Sequence, residues 1–222
     1  MNRLACLALS LLVIPSAWAQ GEARQEERMR YQACIAMSGD DAMAALEDAQ
    51  TWRIEGGGWP AEVCEAHAFI SLGDHAVAAT ILEELGAERR AGMVEEERVD
   101  FLTLAAESRV VLGETDTALA DYDAALAIDA SAILTRSSRA RLYLDQQDWP
   151  ALSRDAEELI RRVPELAIGW YLRAVYRLET DDLDGAWADM ERARELEPER
   201  IETLVLRGRI NEARRLASVA ED

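Results

Sequence analysis

Two cysteines and a histidine are the residues of this 222-residue chain whose types and spacing could do chemistry. Cys64 and His67 are three positions apart, which on a helix places them one turn apart and could supply two ligands of a metal site. Cys34 could add a third ligand, but a closed structural site needs four. Cys6 lies in the expected export signal described below, so the mature chain keeps two cysteines. An even pair in an exported chain instead favours a disulfide, Cys34–Cys64. We expect the disulfide, with the metal site as the alternative.

The carboxylates are numerous, but their arrangement does not predict catalysis. The chain has 43 Asp+Glu against 24 Lys+Arg, a net charge of −19, so pairs such as Glu83-Glu84 are expected on solvated faces. The sequence contains no GxSxG, HExxH, P-loop or GxGxxG motif, and its Asp-rich turns lack the ligand ladder of an EF-hand. We therefore expect no enzyme activity, no cofactor and no metal.

The charge balance also excludes two classes of partner. Every basic residue is an arginine, and no basic stripe exists that could displace counterions from nucleic-acid phosphates. The same acidity disfavours adhesion to an anionic membrane surface. Protein or peptide partners remain.

Residues 1–19 have the three parts of an export signal. Arg3 is the positive start, residues 4–14 form an almost unbroken apolar run, and Ala17-Trp18-Ala19 is a small-x-small cleavage site. We expect a mature chain from Gln20, located in the bacterial periplasm and not inserted in the membrane. The alternative is an uncleaved N-terminal anchor, for which the apolar run is short.

The elements that must position these residues follow a period of 34. Three columns of mostly small residues share it: Ala106, Ala140, Ala174 and Gly208; Ala118, Leu152 and Ala186; Ala130, Pro164 and Pro198. Within one unit, residues 170–176 predict a first helix, 180–182 a polar turn, and the following apolar periodicity a second helix that ends before Pro198. A fixed period of this length is typical of a stacked helical array.

This pattern resembles the tetratricopeptide repeat. The first column matches the small residue that the family has in its first helix. Gly113-Glu114 matches the family's turn, and Pro164 matches its closing proline. Leu152 and Ala130 depart from the family pattern. The resemblance implies an all-α, right-handed superhelical solenoid of antiparallel helix pairs. We expect one domain over residues 20–222, with units near 25–58, 59–98, 99–132, 133–166 and 167–200 and a C-terminal capping helix at 201–219.

Two charged columns share the same period. Arginines precede the small residues of three first helices, and aspartates lie in three second helices. Pairing within a unit would leave Asp121 and Arg207 without partners, whereas pairing across unit boundaries leaves none. We therefore expect structural inter-repeat pairs, with solvation of all six residues as the alternative. The expected pairs are Asp121–Arg139, Asp155–Arg173 and Asp189–Arg207.

The resemblance also implies a concave groove, lined by the first helices, that captures a peptide or protein. The lysine-and-asparagine clamp that some family members use for a terminal carboxylate is missing. Inward arginines in an acidic chain would attract a ligand carboxylate, so we expect a peptide with an acidic group and one or two apolar anchors. The predicted groove residues are His67, Glu107, Ser137, Arg141, Tyr171, Val175 and Arg209.

Two alternatives remain at this point. Arg141 and Arg209 could merely neutralise Glu107 and Glu212, as surface charges often do. The chain could also serve as a structural or assembly subunit of a cell-envelope complex, or as a homodimer, through its convex face or an end of the array. We expect a monomer or a weak homodimer.

Overall fold

The computed structural model describes the backbone of residues 17–220 and the side chains of residues 25–219. Within this range the chain forms eleven helices and no strand, which confirms the predicted all-α fold of helix pairs. The predicted export signal lies largely outside the described residues, and the first helix begins at Ala17. The helices are α1 (Ala17–Asp40), α2 (Ala42–Ile54), α3 (Gly58–Leu72), α4 (His75–Ala87), α5 (Glu95–Leu112), α6 (Thr115–Ile128), α7 (Ile133–Gln146), α8 (Trp149–Arg162), α9 (Ala167–Glu179), α10 (Leu183–Leu196) and α11 (Ile201–Ala220).

Local sequence signals explain where the helices begin and end, and α8 shows them well. The side chain of Asp148 accepts a hydrogen bond of 3.1 Å from the backbone N–H of Ala151, satisfying one free donor of the first turn. Pro150 occupies that turn, where its missing N–H costs nothing. The helix ends at Arg162 because Val163 precedes Pro164, and a residue before proline avoids the helical region.

The column of small residues sets how closely paired helices pack. Ala106, Ala140 and Ala174 are fully buried, each in a cluster that includes residues of the second helix of its own pair. A larger side chain at these positions would force the two helices apart. Gly208 differs, since it is exposed and a Cβ added to it would meet no atom within 4 Å.

The helices divide into two compact units. The first ends at Leu72 and contains α1, α2 and α3, which pack on one another around Cys34, Ala45, Ala49, Cys64 and Ala68. The second begins at Gly73 and contains α4 to α11, in which neighbours in sequence are neighbours in space. The boundary falls inside the predicted repeat 59–98. The prediction of a single domain over residues 20–222 stays a prediction.

The end of the second unit is formed by α11, which packs against α10 and α9. Leu206 and Ile210 are its buried contacts with the core around Met190. Within the described residues, no helix has both the length and the apolarity that are needed to cross a bilayer.

Candidate functional site

The buried aspartates of the second unit pair within their own helix pairs. The guanidinium of Arg139 donates two hydrogen bonds to Asp155, Nε to Oδ2 at 2.8 Å and Nη2 to Oδ1 at 2.6 Å. Arg136, one turn earlier on α7, donates a third from Nη1 at 2.9 Å. Asp189 of α10 is held in the same way by Arg173, at 2.7 and 2.8 Å, and by Arg177 at 2.9 Å.

The predicted inter-repeat pairs Asp121–Arg139, Asp155–Arg173 and Asp189–Arg207 are therefore wrong. Each aspartate points back to the first helix of its own pair. Asp155 and Asp189 are each held by two arginines that lie one turn apart on that helix. Asp121 also has a partner within its own helix pair. The arginine column is interrupted at Ala105, but Arg109, one turn later on α5, forms an ion pair with Asp121. The alternative, solvation of all six residues, is also wrong for the three aspartates, which are buried.

Arg207 has no such partner. It lies on the exposed side of α11, and no carboxylate among the described residues is within ion-pair distance of it. Its counterparts Arg139 and Arg173 each find an aspartate sixteen residues later, on the next helix. No helix in the described part of the chain follows α11, so no second-helix aspartate is available to Arg207.

Two adjoining hollows on the second unit share Arg141 of α7. One, of about 280 Å³, lies between α7, the start of α9 and the turn before α11. The other, of about 240 Å³, lies between α5, α6 and α7. The first is lined by Ile133, Leu134, Ser137, Ser138, Arg141, Leu166, Ile168, Glu197 and Arg200. The second is lined by Glu107, Val110, Tyr122, Ser138, Arg141, Leu142 and Asp145.

Arg141 is exposed, and within the described residues it makes no hydrogen bond and no ion pair. Glu107, the acidic neighbour that could have neutralised it, instead accepts a hydrogen bond of 3.0 Å from the Ser138 hydroxyl. Leu134, which lines the first hollow together with Arg141, is 80% exposed. A free guanidinium beside an exposed aliphatic side chain can bind a carboxylate and an apolar group together.

Tyr171 lies beside this surface under a second arginine. The guanidinium of Arg200 is 5.5 Å from the centre of the Tyr171 ring, a cation–π distance, and forms ion pairs with Glu197 at 2.9 Å and Glu202 at 3.6 Å. Burial, with Glu202 nearby, raises the pKa of the Tyr171 phenol, against an opposite effect of the arginines. The phenol is therefore neutral near pH 7 and able to donate a hydrogen bond.

Apart from Tyr171, the predicted groove residues of the second unit fall into three groups. Glu107, Ser137 and Arg141 line the two hollows. Val175 is buried in the core between α9, α10 and α11, so its side chain cannot form a groove floor. Arg209 lines a separate hollow and is paired with Glu179, whereas Glu212 is paired with Arg215.

Sequence reasoning missed Arg200, Leu134 and Ser138 in these hollows. Arg200 lies in the turn between α10 and α11, and the positions 34 and 68 residues earlier are Leu166 and Ala132. No periodic signal therefore marks it. Leu134 and Ser138 flank predicted positions on α7, but the register alone did not show which side of the helix remains open.

The two cysteines of the first unit form a disulfide. Cys34 of α1 and Cys64 of α3 are bonded, with their Cα atoms 6.0 Å apart, which confirms the predicted pair. His67, one turn after Cys64, is half-buried, and burial lowers the pKa of its imidazole. In the part of the chain that the structure describes, no three His, Cys, Asp or Glu side chains form a cluster suited to a metal ion.

No protein-family model and no curated protein sequence matches the chain. Solved structures do resemble it. A tetratricopeptide repeat protein from Parabacteroides merdae superposes with a TM-score of 0.63 and 18% identity over 70% of this chain and 60% of that protein, so the chain spans less than two thirds of its length.

Two further structures match nearly over their full length. YrrB, described as a tetratricopeptide repeat protein with an unusual peptide-binding site, has a TM-score of 0.63 and 13% identity, covering 87% of this chain and 98% of YrrB. MamA has a TM-score of 0.62 and 10% identity, covering 85% of this chain and 98% of MamA. At these identities the similarity concerns the fold, and together with the repeating helix pairs it shows that the chain has the tetratricopeptide repeat fold.

Proposed function

We propose that the chain is a non-enzymatic scaffold that binds a peptide or protein partner on the surface around Arg141. The observation that carries this proposal is an exposed, unpaired arginine shared by two hollows on successive first helices. Most other arginines of the second unit are held by carboxylates of this strongly acidic chain. Arg141 is thus a local positive charge on a negative background, which concentrates attraction on one point of a ligand.

The lining of the hollows defines the chemistry of the ligand. Arg141 would hold a carboxylate, and Leu134 would take an apolar side chain. Tyr171 could donate a hydrogen bond, whereas the Ser137 hydroxyl, which donates to the carbonyl oxygen of Ile133 at 2.8 Å, could accept one. A short peptide with one acidic group and one or two apolar residues fits this arrangement. The peptide-binding site of YrrB, a protein of the same fold, supports the choice of a peptide.

Replacing both Arg141 and Tyr171 by alanine is expected to reduce partner capture at least tenfold. A hydrogen bond to a charged group contributes about 1.5–3 kcal/mol, and the loss of Arg141 alone removes one or two of them. Wild-type and variant proteins would be crosslinked in the periplasm, and the captured proteins quantified by mass spectrometry. Identified partner segments can then be tested as synthetic peptides.

The matched control is Arg154→Ala, which removes an exposed arginine of α8 that has no ion pair among the described residues. Capture by this variant should equal that of the wild type. Circular dichroism checks that the helix content of all variants is the same. If the Arg141/Tyr171 variant still captures its partner as well as the wild type does, the proposed surface is wrong.

The location of the chain is a second part of the proposal. The signal pattern of residues 1–19 and the Cys34–Cys64 disulfide both support export to the periplasm, since disulfides persist in oxidising compartments. We expect the N-terminus of the protein recovered from a periplasmic extract to be Gln20, as measured by intact mass and N-terminal peptide analysis. Recovery of an intact residue 1–19 segment on membrane-bound protein would instead identify an anchor.

A further inference from the structure

One face of α11 is open where the equivalent faces of α7 and α9 are covered. Gly208 corresponds to Ala140 and Ala174, which are fully buried against α8 and α10. Ile201 corresponds to Ala167 on α9, yet Ile201 is 73% exposed and Ala167 only 1%. Leu204, one turn along the same face, is also exposed. The residues that would receive the second helix of a pair are present on α11, but no described helix covers them.

The charge on this face follows the same register. Arg139 and Arg173 each bind a buried aspartate of the helix that covers them. Arg207 occupies the same column and has no carboxylate partner within the described residues. The pKa of Glu191 on α10 is lowered mainly by its hydrogen bond with Arg194, at 2.6 Å, and to a smaller extent by the charge of Arg207. Arg207 is therefore available to a carboxylate from outside.

The other arginines of α11 are already neutralised. Arg209 pairs with Glu179, Arg214 with Asp184, and Arg215 with Glu212. The open face therefore presents apolar side chains, a small residue at its centre and one unpaired positive charge. Two copies of this face brought together would place the like charges of their Arg207 side chains on one interface, which disfavours a symmetric dimer.

We propose that this face of α11, defined by Ile201, Leu204, Arg207 and Gly208, receives an amphipathic helix from a partner protein. The partner helix carries one aspartate or glutamate that pairs with Arg207, and small or apolar residues that pack over Gly208. It lies on α11 as α8 lies on α7 and α10 on α9. This site is separate from the surface around Arg141, so it can be tested independently of the proposed function.

The test uses a peptide that copies the chain's own covering helix. A fluorescent peptide of residues 181–198 contains α10 and Asp189, and a staple between positions 188 and 192, both exposed on α10, offsets the low helicity of short peptides. Saturable one-to-one binding to the full chain is expected in fluorescence anisotropy. Asp189→Asn in the peptide, or Arg207→Ala in the protein, should each weaken binding about tenfold.

Gly208→Leu in the protein should abolish binding, because the side chain would occupy the space into which the peptide helix packs. This variant should fold normally, since nothing lies within 4 Å of a Cβ at that position. Arg154→Ala is the matched control and should bind like the wild type. Absence of saturable binding, or equal binding by the Asp189→Asn peptide, would overturn the proposal. A dimer in sedimentation velocity that Arg207→Glu dissociates would overturn it in favour of a second copy of the chain.

Discussion

Replacing Asp155 by alanine is expected to lower the free energy of unfolding of the second unit by about 3–5 kcal/mol. Asp155 is 2% exposed, and its carboxylate accepts hydrogen bonds from Arg136 and Arg139. Without it, two largely buried guanidinium groups lose their counter-charge, and removing one partner of a buried ion pair is the costly change. Urea unfolding followed by circular dichroism measures the effect.

Asp123→Ala is the control for this experiment. Asp123 also pairs with Arg139, but its side chain is 61% exposed, so its removal should cost less than about 1 kcal/mol. A double-mutant cycle then identifies the true partner of Asp155. We expect a clear coupling energy between Asp155 and Arg139 and a coupling near zero between Asp155 and Arg173. A larger coupling to Arg173 would contradict the pairing described above.

Removing the Cys34–Cys64 bond is the second change with a large expected effect. The bond joins residues 30 positions apart in the first unit, and closing a loop of this size contributes about 3–4 kcal/mol in the chain-entropy model. The Cys34→Ala/Cys64→Ala variant should therefore show faster hydrogen exchange in α1, α2 and α3. Exchange in α7 to α10, in the second compact unit, should change little.

Chemical reduction provides the control for the disulfide. Dithiothreitol should destabilise the wild-type first unit by a similar amount and leave the double-alanine variant unchanged. Mass spectrometry of the unreduced protein should show the peptides of Cys34 and Cys64 linked. Two alkylatable thiols in protein purified without reductant would refute the bond.

The sequence by itself determined the elements of this fold. The 34-residue period, the column of Ala106, Ala140 and Ala174, and the turn and proline signals are local, because each depends on helix propensity and on side-chain size at a fixed position. The helices form where these signals predict them, and the small residues are buried where two helices meet. The cysteine pair was also predictable, since Cys6 lies in the expected export signal and Cys34 and Cys64 are the two cysteines that remain.

The surface around Arg141 was predictable only in part. The register placed Glu107, Ser137 and Arg141 on one side of the array, and the structure has them in two adjoining hollows. The register also placed Val175 there, but α10 and α11 bury it. Arg200 could not be found, because the equivalent positions of the two preceding units are Leu166 and Ala132, so the period does not mark an arginine there.

The tertiary structure alone decided how the charged columns pair. A second helix lies between its own first helix and the first helix of the next repeat, so Asp155 has candidate partners 16 residues before it, Arg139, and 18 residues after it, Arg173. Both separations recur with the same period. Pairing across unit boundaries leaves no residue without a partner, and this criterion favoured Arg173, which is the wrong partner. Only the direction of the aspartate side chain, set by how α8 packs on α7, distinguishes them. The same direction leaves Arg207 unpaired, because its aspartate would have to come from a helix after α11, and the described residues contain no such helix.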